Sequence, residues 1–141
     1  MITLELRLPP SINRLWRAGR GRVYRSPRYE AWLKEAGWEL AIQRPARITG
    51  QVSIVIAAGR PDRRRRDLDN IATKACLDLL VAHRVIEDDS LVASITSCWS
   101  ADVAPGRLRV EVEPAQTPMW SSVSPTQHAA LTSNNGGSFW R

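Results

Sequence analysis

Asp67 and Asp69, two residues apart, and the later pair Asp88-Asp89 are the side chains of this 141-residue chain best suited to metal chemistry. In an extended segment, side chains at i and i+2 point to the same side, so Asp67 and Asp69 can address one ion, and Asp89 can join them from a later loop. Hard oxygen donors with no His or Cys beside them favour Mg2+ or Mn2+ over Zn2+. On a phosphodiester, such an ion polarises the phosphoryl oxygen, lowers the pKa of an attacking water and stabilises the departing oxygen. Lys74, about a turn into the helix expected to follow, can neutralise charge on the transition state or orient the water. The structural alternative is an N-cap, for which Asp-x-Asp-Asn before a helix is equally suited.

Immediately before the aspartates stand Arg63, Arg64, Arg65 and Arg66. Adjacent guanidinium groups repel one another unless an anion shares them, and two carboxylates do not neutralise four cations. Phosphate is the expected anion. The net charge of +6 is unevenly spread: residues 1–66 hold fifteen Lys/Arg against five Asp/Glu, and the remainder five against nine. All but Lys34 and Lys74 of the cations are arginine, which suits bidentate phosphate recognition better than solvation. Nucleic acid is the expected partner, and a basic surface that merely tolerates polyanions is the alternative. Between Ser11 and Ser26, Arg14, Arg17, Arg20, Arg22 and Arg25 interleave with Trp16, Tyr24, Gly19 and Gly21. That composition suits a basic hairpin or loop whose Arg14, Arg17 and Arg22 grip a sugar-phosphate backbone; a solvated loop pinned by one buried Trp is the alternative.

Alternation of Ile2, Leu4, Leu6 and Leu8 with polar residues predicts a first strand ended by Pro9-Pro10. Ser26-Pro27 supplies an N-cap and N1 proline for a helix running to about Gln43, with Trp32 and Trp38 as packing residues. Residues 51–58 predict a buried strand. A second helix is expected with Asp69 or Asn70 as its N-cap, ending near Ala82, where His83 meets the helix dipole. Leu91 to Trp99 and Leu108 to Val112 predict two more strands, joined through Ala104-Pro105-Gly106 and paired antiparallel with each other. The fold class expected is α+β: a small mixed β-sheet with two main helices in a single domain over residues 1–113. Residues 114–141, rich in Ser, Thr, Asn, Gly and Pro, are expected to be a disordered tail. Cys76 and Cys98, far apart and outside any CxxC spacing, are expected to be buried thiols. With no apolar run near the roughly 20 residues of a membrane span and no readable signal peptide, a cytoplasmic protein without membrane or small-molecule cofactor is expected.

Leu8-Pro9-Pro10-Ser11-Ile12-Asn13, Gly21-Arg22 to Ser26, Pro61-Asp62-Arg63-Arg64-Arg65-Arg66-Asp67-Leu68-Asp69-Asn70 and Glu87-Asp88-Asp89-Ser90 together resemble the RusA family of Holliday-junction resolvases over about residues 2–113. The resemblance implies a homodimeric, Mg2+-dependent endodeoxyribonuclease that nicks four-way DNA junctions symmetrically in recombination and repair, typically in prophage and phage settings. By motif position Asp67, Asp69 and Asp89 are its catalytic, metal-holding aspartates, Asn70 the polar neighbour that orients them, and Asp88 the companion of Asp89. Two departures stand out. The family lysine usually stands six residues after the first motif aspartate, a place held here by Thr73, with Lys74 one later. One residue turns a helical side chain by about 100°, so Lys74 serves only if the helix starts late or is locally irregular. The glycine often found before the acidic pair is replaced by His83-Arg84. The alternatives to a resolvase are a catalytically weak or inactive structure-selective DNA-binding protein, and a less selective nuclease of branched DNA such as flaps and forks.

Overall fold

Alternating leucines make β1 (Ile2–Arg7) one-sided, with Leu4 and Leu6 buried and their neighbours turned away. In the computed structural model, which describes residues 1–116, β1 is the edge of a mixed four-stranded sheet with β4 (Val52–Ala58), β5 (Val92–Trp99) and β6 (Arg107–Pro114), in the order β1-β6-β4-β5. A separate two-stranded hairpin, β2 (Trp16–Gly19) and β3 (Arg22–Arg25), fulfils the basic-hairpin expectation. Helices α1 (Pro27–Gln43) and α2 (Thr73–Ala82) complete the α+β fold.

The sheet register pairs Leu4 with Val110, Leu6 with Leu108, and Ile54 with Val112, placing the apolar side chains of three strands on one face. That face forms a single core with Tyr29, Trp32, Ala36 and Leu40 of α1 and Ala75, Cys76, Leu79 and Leu80 of α2. One covered face and one polar face is the arrangement an alternating sheet requires.

Strand pairing differs from expectation at one point. β6 pairs antiparallel with β1 and β4 and not with β5, whereas β5 runs parallel to β4 at the other edge. The cause is burial. β6 carries Leu108, Val110 and Val112, which need a central position, while β5 offers Ser94, Thr96 and Ser97, which suit an edge. The segment through α2 then serves as the crossover that a parallel β4–β5 pair demands.

Both helix starts depend on local chemistry. Ser26 caps α1: its Oγ accepts the Tyr29 amide at 3.1 Å and donates to the Arg14 carbonyl at 2.6 Å, tying the hairpin's base to the helix. α2 begins later than expected, with Ala72 at the N-cap position and no side-chain cap, because Asp69 and Asn70 lie in a separate 3-10 turn, Leu68–Asn70. The helices cross at Gly37, where an added Cβ would stand 2.8 Å from His83 Nε2. Trp38, expected to pack while staying partly exposed, is 62% exposed, because it lies on the opposite side of α1 from Trp32 and Ala36. Cys76 is buried as expected, its thiol pushed up to about 12 by burial, whereas Cys98 on the edge strand is half-buried. Beyond β6 the Ala115 amide donates to the Gln51 carbonyl at 2.9 Å; the rest of the expected tail, from residue 117, lies outside the described residues.

Candidate active site

The arginine run takes its shape from the acid in front of it. Asp62 accepts the Arg64 amide at 3.0 Å and the Arg66 guanidinium at 2.9 Å, and these hydrogen bonds, from Arg66 first, hold its carboxyl below the usual carboxylate range. Arg66 is thereby paired within the chain. Arg63, Arg64 and Arg65 are exposed and form no ion pair among the described residues.

Asp67 is extended, and the chain then tightens into the 3-10 turn that contains Asp69, with the Asn70 amide donating to the Asp67 carbonyl at 3.1 Å. At three residues per turn, positions i and i+2 leave the common face that an extended segment gives them. Among the described residues no three His, Cys, Asp or Glu side chains gather closely enough to hold a metal ion, so Asp67, Asp69 and Asp89 do not form one cluster.

What the structure does bring together is a relay of charge. Ala72 is non-helical, at φ −78° and ψ 79°, and the Thr73 amide donates back to the Ile71 carbonyl at 2.9 Å. This tight turn absorbs one residue and delays the helix. Lys74 consequently stands in the first turn of α2, with its Nζ 2.7 Å from Asp89 Oδ2 and 3.0 Å from Asp78 Oδ1. The late start is the condition under which Lys74 can reach the acidic loop. Its hydrogen bonds to Asp89 and then Asp78 raise the ammonium's pKa, and the same Lys74 bond holds the Asp89 carboxyl low. Asp88 caps the short turn that carries Asp89, its Oδ1 accepting the Ser90 amide at 3.1 Å.

Asp78 and Tyr29 are the residues that sequence reasoning misses. The buried Tyr29 hydroxyl donates to Asp78 Oδ2 at 2.9 Å, so a core residue of α1 fixes the carboxylate that steadies Lys74. Burial, followed by this bond to an anion, raises the phenol's pKa. Trp16 meets Tyr29 edge-on, with centroids 5.8 Å apart, and Arg25 stands over the ring at 5.7 Å, joining the hairpin to the same chain of contacts. The i, i+4 spacing of Lys74 and Asp78 is the one sequence signal that could have found the pair.

Arg64, Arg65, Arg66, Asp67 and Asn70 face Leu8, Pro9, Ser11 and Asn13 across a cleft of about 350 Å3, with Trp99 at its side. The front motif thus forms the opposite wall to the arginine run. Asn13 also borders a recess of about 330 Å3 lined by Arg14, Trp16, Arg17 and Arg28. Arg22 is exposed on β3, and Arg63 stands outside the cleft.

A one-sided mixed sheet that carries a cleft lined by three arginines and Asp67, and separately a lysine pinned between Asp78 and Asp89, is a scaffold for handling phosphates. A family model described as endodeoxyribonuclease RusA matches residues 7–113. The crossover junction endodeoxyribonuclease RusA of Aquifex aeolicus (strain VF5) is 31% identical over 110 residues, 77% of this chain and 86% of that protein. The protein of the same name from Escherichia coli (strain K12) is 32% identical over 117 residues, 78% and 92% of the two chains. A third relative with that name, from Enterobacteria phage HK97, is 32% identical over 105 residues, 74% and 87%. The chain belongs to the RusA family of endodeoxyribonucleases.

Proposed function

We propose that the chain resolves four-way DNA junctions, acting as a homodimeric, Mg2+-dependent endodeoxyribonuclease that nicks two strands symmetrically. The observation that carries this reading is the reach of Lys74 to Asp89, 2.7 Å across the gap between α2 and the acidic loop, together with a cleft that Asp67 lines alongside Arg64, Arg65 and Arg66. Family membership and the names of the relatives support it.

The donor set fits a hard cation. Asp67, Asp69 and Asp89 are exposed carboxylates, while Cys76 is buried and His83 stands at the far end of α2. Mg2+ is commonly held by only one or two carboxylates with phosphate and water completing its shell, so a tight three-acid cluster is not required; Mn2+ has similar preferences. One or two of Asp67, Asp69 and Asp89 at a time would hold the ion, which when bound would polarise the scissile phosphoryl group and lower the pKa of an attacking water. Arg64 and Arg65, with Arg63 beside them, draw the sugar-phosphate backbone toward carboxylates that otherwise repel it. Arg14, Arg17 and Arg22 extend the grip along the hairpin. Lys74, anchored by Asp78, stands ready to offset charge that grows on the phosphoryl oxygens. Asn70 orients the aspartates, and Asp88 shapes the turn carrying Asp89. A two-fold junction needs two such sites related by the same axis, which a dimer provides.

The test incubates the parent chain and Asp69→Asn with a labelled four-way junction, with and without Mg2+. Equal binding by both, with paired nicks made only by the parent in Mg2+, is the expected result. Binding without nicking by either would establish the second reading, a catalytically silent junction binder, which the separated carboxylates favour. Equal cutting of flaps and forks would replace junction specificity with a broader one.

A further inference from the structure

Arg60 and Trp99 take no part in the chemistry described so far, yet they wall a second cavity of about 470 Å3 with Ser100, Ala101, Val103 and Pro105. That volume falls within the roughly 300–1,000 Å3 of small-molecule sites. Trp99 also lines the arginine cleft, so the two spaces have this residue in common. The Arg60 guanidinium carbon stands over that ring, 4.8 Å from its centroid. Gly59 sets the position of the opposite wall: a Cβ there would lie 2.0 Å from the Ala104 carbonyl oxygen, so only glycine lets residues 101–106 come this close. The Gly59 amide donates to the Arg107 carbonyl at 2.9 Å and its carbonyl accepts the Gly106 amide at 3.1 Å, clamping both ends of the approach.

We propose that this cavity is a nucleobase-binding site, which takes one unstacked base from the strand whose phosphate lies in the arginine cleft. The strand's presence rests on the proposed nuclease function; the cavity's chemistry does not. A base is a flat ring with a polar edge. Trp99 and the planar Arg60 guanidinium offer flat faces for stacking, and Ala101, Val103 and Pro105 give an apolar wall. Ser100 Oγ already accepts the Asp102 amide at 3.2 Å, which leaves its O–H to donate to a base edge. A lone phosphate would leave the aromatic and apolar walls unused, and an apolar side chain would bury the guanidinium without a partner. Extracting a base costs least where it has already lost a stacking neighbour, which is the condition at a branch point.

The test places 2-aminopurine at the branch point of a four-way junction and titrates it with the full chain in EDTA. The parent and Trp99→Phe, which keeps a flat ring, quench the probe. Trp99→Ala abolishes the quenching and weakens binding of a short oligothymidylate by about 5- to 150-fold, the effect of losing one base–aromatic stack. Arg60→Lys keeps the charge but loses the planar stack and weakens that binding by about 5-fold or more. Arg60 is exposed, so this variant stays informative even if Trp99→Ala fails to fold. Unchanged binding by Arg60→Lys, or no quenching by the parent, overturns the base site. Nicking of the same junction in Mg2+ is read separately: a parent that quenches without nicking overturns the nuclease reading and leaves the base site standing.

Discussion

Lys74 meets Asp89 although it stands one residue beyond the place where the resemblance sets the family lysine. The non-helical Ala72 and the Thr73–Ile71 hydrogen bond set the phase in which α2 begins and presents Lys74. The ammonium then depends on Asp78, and Asp78 on the buried Tyr29 hydroxyl. Asp78→Asn is therefore expected to lower the nicking rate by about 10- to 100-fold, the usual effect of removing a group that orients a catalytic side chain. Junction affinity should stay unchanged, which single-turnover cleavage and gel-shift measurements on the same preparation will check. The aspartates, arginines and Lys74 are legible in the sequence because their chemistry is carried by residue type. Tyr29 and Asp78 are not, because a Tyr on an apolar helix stripe and an Asp within a helix look like packing and surface until two helices bring them together.

At the scale of elements, both helices end on an arginine in the left-handed region, Arg44 at φ 47° and Arg84 at φ 58°. Arg84 is one of the two residues, His83-Arg84, that the resemblance sets where a glycine often stands, and its backbone lies in the region that glycine adopts freely. Arg84→Gly should raise unfolding free energy in urea by up to about 1 kcal/mol, since a side chain in this region costs about 1–2 kcal/mol and glycine's greater unfolded-state entropy returns part of it. Glu39 joins three elements: its carboxylate accepts Arg7 Nε of β1 and Arg107 of β6, each at 3.0 Å, while Glu35 on the same helix also pairs with Arg7. Burial acts to raise the Glu39 pKa, and the hydrogen bonds from Arg107 and Arg7 overcome it, leaving the pKa lowered. A lowered folded pKa gives stability that is present above the unfolded value of about 4.3 and lost as pH falls through the folded value. Glu39→Gln should cost about 1–3 kcal/mol at neutral pH and flatten the acid limb of a urea-stability profile. Capping by Ser26-Pro27 and the alternation of β1, β4 and β6 are legible because they are local. The neighbours of β6 are not, because strand order is decided by competition for the sheet's centre, and a Pro-Gly turn between β5 and β6 says nothing about that contest.

For the whole molecule, electrostatics separates arginines that look alike in the sequence. Arg66 is engaged by Asp62, whereas Arg64 contributes only its backbone amide to that acid and leaves its guanidinium exposed. If each free guanidinium neutralises one phosphate, Arg64→Ala should flatten the log–log salt dependence of junction binding by about 0.9 units. Arg66→Ala should change it less, and Asp62→Asn should steepen it by freeing Arg66; equal effects from Arg64 and Arg66 would show that Asp62 releases its partner on binding. The cleft and the hairpin recess share Asn13 as a lining residue, and the cleft and the Arg60 cavity share Trp99. Across the described residues no helix is long and apolar enough to cross a membrane.

Among the described residues, the last strand to be synthesised lies inside the sheet, where Leu108 faces Leu6 and Val112 faces Ile54. Until β6 inserts, no strand joins β1 to the β4–β5 pair, so the sheet is completed only when nearly all of the domain has left the ribosome. A nascent chain or a prematurely terminated fragment therefore lacks the frame that holds Arg64, Asp67 and Lys74 in place. For a protein that cuts DNA, this strand order is a safeguard: the capacity to break a chromosome arrives only with the finished domain.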